Sequence, residues 1–196
     1  ILAATSLFFL LLLAPLQNAE NLYDSVIRIH VLANSDSKED QGKKLIVRDE
    51  ILNYTRKELD LGKTREEAKA ILEKHLKNLK QIAEQTLQKE GDFHEVDVDI
   101  SEEFYPTREY ESISLPAGTY LSLRVQIGEA KGKNWWCVLF PPLCLSSSLE
   151  AEDALTGAGM TDENVATVLG KESAYRIRFK FLDLFEQTKE RVKKLF

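Results

Sequence analysis

With 196 residues, 43% of them hydrophobic, the chain has apolar material for one compact domain with appendages, or at most two small domains. A formal net charge of −6 argues against sequence-nonspecific nucleic-acid binding, which needs a concentrated positive field. The basic tail RVKKLF is short and reads as a solvated last helical turn.

The first sixteen residues are apolar except Thr5, Ser6 and Pro15, and Glu20 is the first charge. Such a run is short for a bilayer span of about 20 residues and fits the core of a signal peptide better. Gln17-Asn18-Ala19 offers a small residue at only one of the two expected cleavage positions. An uncleaved N-terminal anchor therefore competes with a cleaved leader at residues 1–20, and a buried core helix is a third reading. Both leading readings make residues 21–196 a single extracytoplasmic domain.

Val26, Ile27, Ile29, Val31 and Leu32 predict a buried strand from Ser25 to Ala33. In NSDSKEDQ, Ser37 followed three residues later by Asp40 resembles a capping box and predicts a helix from about Lys38 to Asp60. Its apolar arc comprises Leu45, Val47, Ile51, Leu52, Tyr54 and Leu59, and Gln41, Lys44 and Arg48 fall inside that arc. A polar ridge on an apolar face is either a set of side chains snorkelling over a sheet edge or a binding feature. Gly62 ends the helix, and Thr64 with Glu67 forms a full capping box for a second one, Thr64–Gln88, closed by Gly91. His75 lies on the apolar face of that helix and reads as a packed core histidine.

HEVDVDI alternates strictly and predicts a half-buried strand with a solvated acidic stripe; it lacks the loop spacing of a calcium site. Leu115-Pro116-Ala117-Gly118 predicts a turn. Tyr120–Ile127 and Trp135–Phe140, separated by GEAKGKN, predict a long hairpin that Pro141-Pro142 terminates. Residues 150–170 read as a linker or short helical excursion. Tyr175, Ile177, Phe179 and Phe181 alternate as a last strand, and LDLFEQTKERVKKLF follows as an amphipathic C-terminal helix. The expected fold is α/β, or an α+β sandwich. It has a mixed sheet of about five strands, two long helices packed on it and a C-terminal helix.

The stretch NWWCVLFPPLC concentrates both tryptophans and both cysteines. Adjacent tryptophans on a strand face opposite sides, so one can pack inward while the other is offered to a partner. Cys137 and Cys144 are a disulfide candidate, since an exported chain with an even cysteine count and an intervening Pro-Pro favours pairing. Closing so short a loop stabilises by roughly 2–3 kcal/mol. Two free buried thiols are the other reading. A thiol enzyme using Cys137 and His30 would need those strands to pair and the two side chains to meet. Two cysteines seven apart without a close histidine give no metal set, and no cofactor signature is present.

The blocks IRIHVLANSDSKEDQGKKLIVRD (27–49) and LPAGTYLSLRVQIGEAKGKNWWCVLFPPLC (115–144) resemble the signature blocks of the stage II sporulation protein R family, and YRIRFKFLDLF (175–185) resembles its C-terminal segment. The resemblance implies a non-enzymatic sporulation signal made in the forespore and exported into the space between forespore and mother cell. There it would activate a membrane-embedded aspartic protease of the mother-cell membrane, which cleaves pro-sigma-E. With the charge and spacing arguments above, the expectation is no cofactor, no metal, no nucleic acid, and membrane contact only through the N-terminal segment.

Two groups within these blocks are candidates for partner binding. One is Asn34, Asp36, Asp40, Gln41, Lys44, Arg48 and Asp49; the other is Gly132, Asn134, Trp135 and Trp136. They are expected to adjoin where the strand-to-helix turn meets the hairpin tip.

Overall fold

The structure is a computed structural model that describes residues 22–110, 113–144 and 148–169. The expected leader, the strand expected at 175–181 and the expected C-terminal helix lie outside the described residues. Among those residues, no helix is long and apolar enough to cross a membrane.

The architecture is α+β. Strand β1 (Ile27–Leu32) leads into helix α1 (Lys38–Glu58), which is followed by helix α2 (Arg65–Lys89). Next come β2 (Val96–Tyr105), the short β3 (Arg108–Glu109) and β4 (Ser114–Leu115), then β5 (Gly118–Ile127) and β6 (Asn134–Phe140). Helices α3 (Ser148–Gly157) and α4 (Asp162–Val168) close the described chain. The main sheet is mixed, in the order β2-β5-β1-β6, and β3 pairs with β4 as a separate two-stranded sheet.

This order corrects the expected hairpin. β5 and β6 do not pair, because β1 lies between them. It runs parallel to β5, with Ile29 opposite Leu123, and antiparallel to β6, with Ile29 opposite Cys137. The segment GEAKGKN is therefore a crossover passing over the C-terminal end of β1. Two alternating strands around a glycine-rich loop look alike in sequence whether they pair directly or straddle a third strand.

The alternation of β1 divides the molecule into two layers. Ile27, Ile29 and Val31 point to one face of the sheet. There they join Leu121, Leu123, Val125 and Cys137 and the buried sides of α1 (Val47, Ile51) and α2 (Leu72, Leu79, Ala83) in the larger core. On the other face Tyr105, Tyr120 and Val138 pack with Leu115, Ala151, Leu155, Val165 and Val168. The segment expected to be a linker or a short helical excursion thus forms two short helices that cover part of the second face.

Helix starts follow the chemistry of their caps. At α2 both halves of the capping box form: the Glu67 N–H donates to the Thr64 hydroxyl, and the Thr64 N–H donates to the Glu67 carboxylate. At α1 only half of the box forms. The Asp40 N–H donates to the Ser37 hydroxyl at 3.0 Å, while the Asp40 carboxylate turns away and accepts from Asn34 and Ser35. Leu45, expected in the buried arc of α1, is exposed with Ile46, while Lys44 is buried. The polar ridge, not Leu45, faces inward at this end of the helix.

Candidate functional site

The two groups of candidate residues do adjoin, and the crossover loop is what joins them. The Gly132 N–H donates to the Ala33 carbonyl at 2.9 Å and the Lys131 N–H to the Asn34 carbonyl at 3.2 Å. Asn34 also accepts from the Glu129 N–H through its side-chain oxygen, and Asp36 accepts from the Lys133 N–H at 2.6 Å. From α1, Lys44 Nζ donates to the Lys133 carbonyl at 2.7 Å and to Gln41 Oε1 at 2.6 Å, and Gln41 Nε2 donates to the Ser35 carbonyl. Arg48 stands over the Trp135 ring, 4.8 Å from its centroid, and pairs with Asp49 at 2.7 Å.

This joint separates the candidates by what their polar atoms do. Asn34, Asp36, Lys44 and Gly132 hold the loop to the strand-to-helix turn, and Asp40 and Gln41 brace the turn through Asn34, Ser35 and Lys44. Burial, followed by the charge of Arg48, lowers the Lys44 pKa. Hydrogen bonds from Ser35 and Asn34 hold the Asp40 carboxyl below its usual range. A methyl group at Gly132 would overlap the Ser35 carbonyl oxygen, so only glycine permits this approach. Asp49 and Asn134 remain exposed beside Arg48 and Trp135. Trp136 does not join this surface. It projects from the opposite face of the sheet, with its ring 5.4 Å from His30 and 5.9 Å from Tyr105.

The same register separates Cys137 from His30. Cys137 is the β1 partner of Ile29, and His30 is the partner of Trp136. Cys137 accordingly lies in the helix-side core and His30 on the other face, so the proposed thiol–imidazole pair does not form. Cys137 and Cys144 are free thiols in mutual contact, and the Cys144 thiol donates to the Val138 carbonyl. Contact with Cys144 pulls the Cys137 pKa down, and burial pushes the Cys144 thiol far up. His75, expected in the core, is only half-buried and meets the Tyr54 hydroxyl at 2.9 Å. Among the described residues, no group of three or more His, Cys, Asp or Glu could hold a metal ion.

Around His30 and Trp136, the second face carries residues not anticipated from sequence: Arg28, Glu103, Arg108 and Tyr110. Arg28 is fully buried, its guanidinium 4.0 Å from the Tyr105 ring centroid and 5.1 Å from that of Tyr120, and it donates to the Tyr110 hydroxyl. Burial pushes the Tyr110 phenol up to about 12. His30 Nδ1 lies 2.8 and 2.9 Å from the two Glu103 oxygens, and because a carboxylate only accepts, Nδ1 carries the proton. Burial is the largest single influence and raises the Glu103 pKa, but the hydrogen bonds from His30 and Tyr105 and the nearby positive charge together outweigh it, so the net shift is downward. Arg108 covers the Trp136 ring at 3.9 Å. The available signal was the alternation of Arg28 and His30 with Ile27, Ile29 and Val31, which marks a two-faced strand.

The family model of stage II sporulation protein R matches residues 23–150, a span that includes all four strands of the main sheet. The chain belongs to the stage II sporulation protein R family. A curated relative, stage II sporulation protein R of Bacillus subtilis (strain 168), is 38% identical over 136 residues. The match covers 65% of this chain and 59% of that protein. No solved structure matches the chain. Family membership ties the domain to sporulation, and the joint at the end of β1 is assembled from both blocks that carried the resemblance.

Proposed function

We propose that this member of the stage II sporulation protein R family is an exported, non-enzymatic signal. In this reading the forespore makes it, it reaches the intermembrane space, and it activates a membrane-embedded aspartic protease of the mother-cell membrane that processes pro-sigma-E. Family membership carries the reading, and the apolar first sixteen residues support export. The docking face is the rim of the joint: the exposed Asp49 and Asn134 with the half-buried Arg48 and Trp135. The residues beneath it hold that rim in shape.

A ligand activates a protease only by binding its active state more tightly than its inactive state. Stabilising an active dimer is one arrangement that meets this condition. The test is reconstitution: the chain is added to the outer side of membranes carrying the candidate protease and its sigma-factor precursor, and precursor cleavage is followed. Cleavage that depends on the added chain is expected. Absence of cleavage with every component folded overturns direct activation.

A further inference from the structure

The second face of the sheet carries three arginines that meet no carboxylate within ion-pair distance among the described residues: Arg28, Arg108 and Arg124. Arg28 Nε and Nη1, Arg108 Nε and Arg124 Nε are all buried without a hydrogen-bond partner. His30 Nε2 and Trp136 Nε1 are in the same condition, and the His30 residue is only 4% exposed. Buried polar atoms of this kind are ordinarily partnered, so their concentration on one face calls for an occupant.

Strand register explains how these groups meet. Asp99 pairs with Arg124, Arg124 with His30, and His30 with Trp136, so one row of side chains runs across all four strands on one face. Glu103 holds His30 through Nδ1 and leaves the Nε2 edge of the ring unused. Arg108 lies over the Trp136 end of the row, and Arg124 stands on the other side of His30. Trp136, Arg108 and Arg124 are only half-buried, so part of each side chain reaches solvent although its unpartnered donor atom is buried, and the half-buried Asp99 adds a negative charge at the Arg124 end of the row.

The unpartnered atoms of Arg108, Arg124 and Trp136 are all donors, two of them on guanidinium groups that can meet a carboxylate, Arg124 through the nitrogens other than the Nη2 that donates to Gln126 Oε1 at 3.1 Å. Two strand spacings separate Arg124 from Trp136, roughly 10 Å. One small anion does not bridge that distance. Acidic side chains on alternate residues of an extended segment lie about 6.8 Å apart and, with their own reach, engage both ends.

We propose that this partly exposed half of the sheet binds carboxylates of an acidic polypeptide segment, with Arg108 and Arg124 as the anion-holding residues and the Trp136 indole N–H as a third donor. The proposal stands apart from the protease reading, because it concerns the opposite face of the sheet from Trp135 and its test needs no protease.

The test is a titration of the full chain followed through the tryptophan indole N–H resonances by NMR. The probe is an acetylated, amidated peptide Glu-Gly-Glu-Gly-Glu, compared with its Gln-Gly-Gln-Gly-Gln counterpart and with inorganic phosphate. The Glu peptide should move the Trp136 indole signal and leave that of Trp135 in place. Arg108→Gln and Arg124→Gln should each weaken binding at least tenfold without loss of fold. If either variant unfolds, Arg108→Lys or Arg124→Lys keeps the charge and should lose the fork-dependent part of the affinity. An unmoved Trp136 signal at millimolar Glu peptide overturns the site. Equal binding of the Gln peptide overturns carboxylate recognition, and phosphate binding as well as the Glu peptide overturns the polypeptide ligand.

Discussion

At the scale of single residues, two glycines show how differently the same residue type is used. Gly42 lies within α1 and is exposed, and a methyl group there meets nothing within 4 Å. Gly42→Ala should stabilise the protein by about 0.5–1 kcal/mol, the helical disadvantage of glycine. Gly132→Ala drives a methyl group into backbone and should cost about 1–3 kcal/mol, as overpacking does. Urea midpoints of the two variants should move in opposite directions; movement in the same direction would refute the close approach at Gly132. The polar ridge divides in a parallel way. Lys44→Ala leaves the Lys133 carbonyl without its buried donor and should lower stability by about 1–3 kcal/mol. Asp49→Ala, at an exposed position, should leave thermal unfolding within about 0.5 kcal/mol of the parent. If Asp49 belongs to the docking rim, that variant should nevertheless lower precursor cleavage. Normal cleavage by Asp49→Ala would remove it from the rim. The spacing of Gln41, Lys44 and Arg48 marked the ridge in the sequence, but not which of its members is buried. That depends on where the loop carbonyl of Lys133 comes to rest.

At the scale of elements, periodicity located β1, α1, α2, β5 and β6 almost to their ends, because each buries one side and repeats accordingly. It failed on adjacency. Nothing local in Tyr120–Ile127 or Trp135–Phe140 records that β1, about ninety residues earlier, lies between them. The polar side of β1 was missed for a related reason: Arg28 and His30 acquire meaning only beside Tyr105, Glu103 and Trp136 from other strands. The link from β1 to β2 through His30 and Glu103 has a pH signature. The Glu103 pKa lies below its ordinary value of 4.5 in the folded chain, so the bond contributes stability above the unfolded value and loses it as pH falls through the folded one. Glu103→Gln should therefore flatten the decline in the urea midpoint as pH falls below the ordinary carboxylate value of 4.5, relative to the parent. Parallel declines in the two proteins would show that this carboxylate does not couple folding to pH.

At the scale of the whole molecule, one sheet serves two cores. Ile29 and Val31 pack toward α1 and α2 while Val138 packs toward α3 and α4, yet β1 and β6 are hydrogen-bonded neighbours. Neither core can dissolve without exposing one face of strands that the other requires, so the described domain should unfold as a single unit. The sequence foretold a mixed sheet with two long helices, but not the second core, whose helices fall in a small, acidic stretch without strong periodicity. The two tryptophans report on the two layers separately, since Trp135 packs against the helix-side core and Trp136 against the other. In Trp136→Phe the remaining indole follows the first layer, and in Trp135→Phe it follows the second. Within each variant, the urea transition seen by tryptophan fluorescence should coincide with that seen by far-ultraviolet circular dichroism. A fluorescence transition at lower urea in Trp135→Phe alone would mean that the α3–α4 layer detaches first and that the sheet does not couple the cores. Coincidence in both variants would mean that a load placed on the Trp136 face is carried by the same cooperative unit that holds the joint at the end of β1.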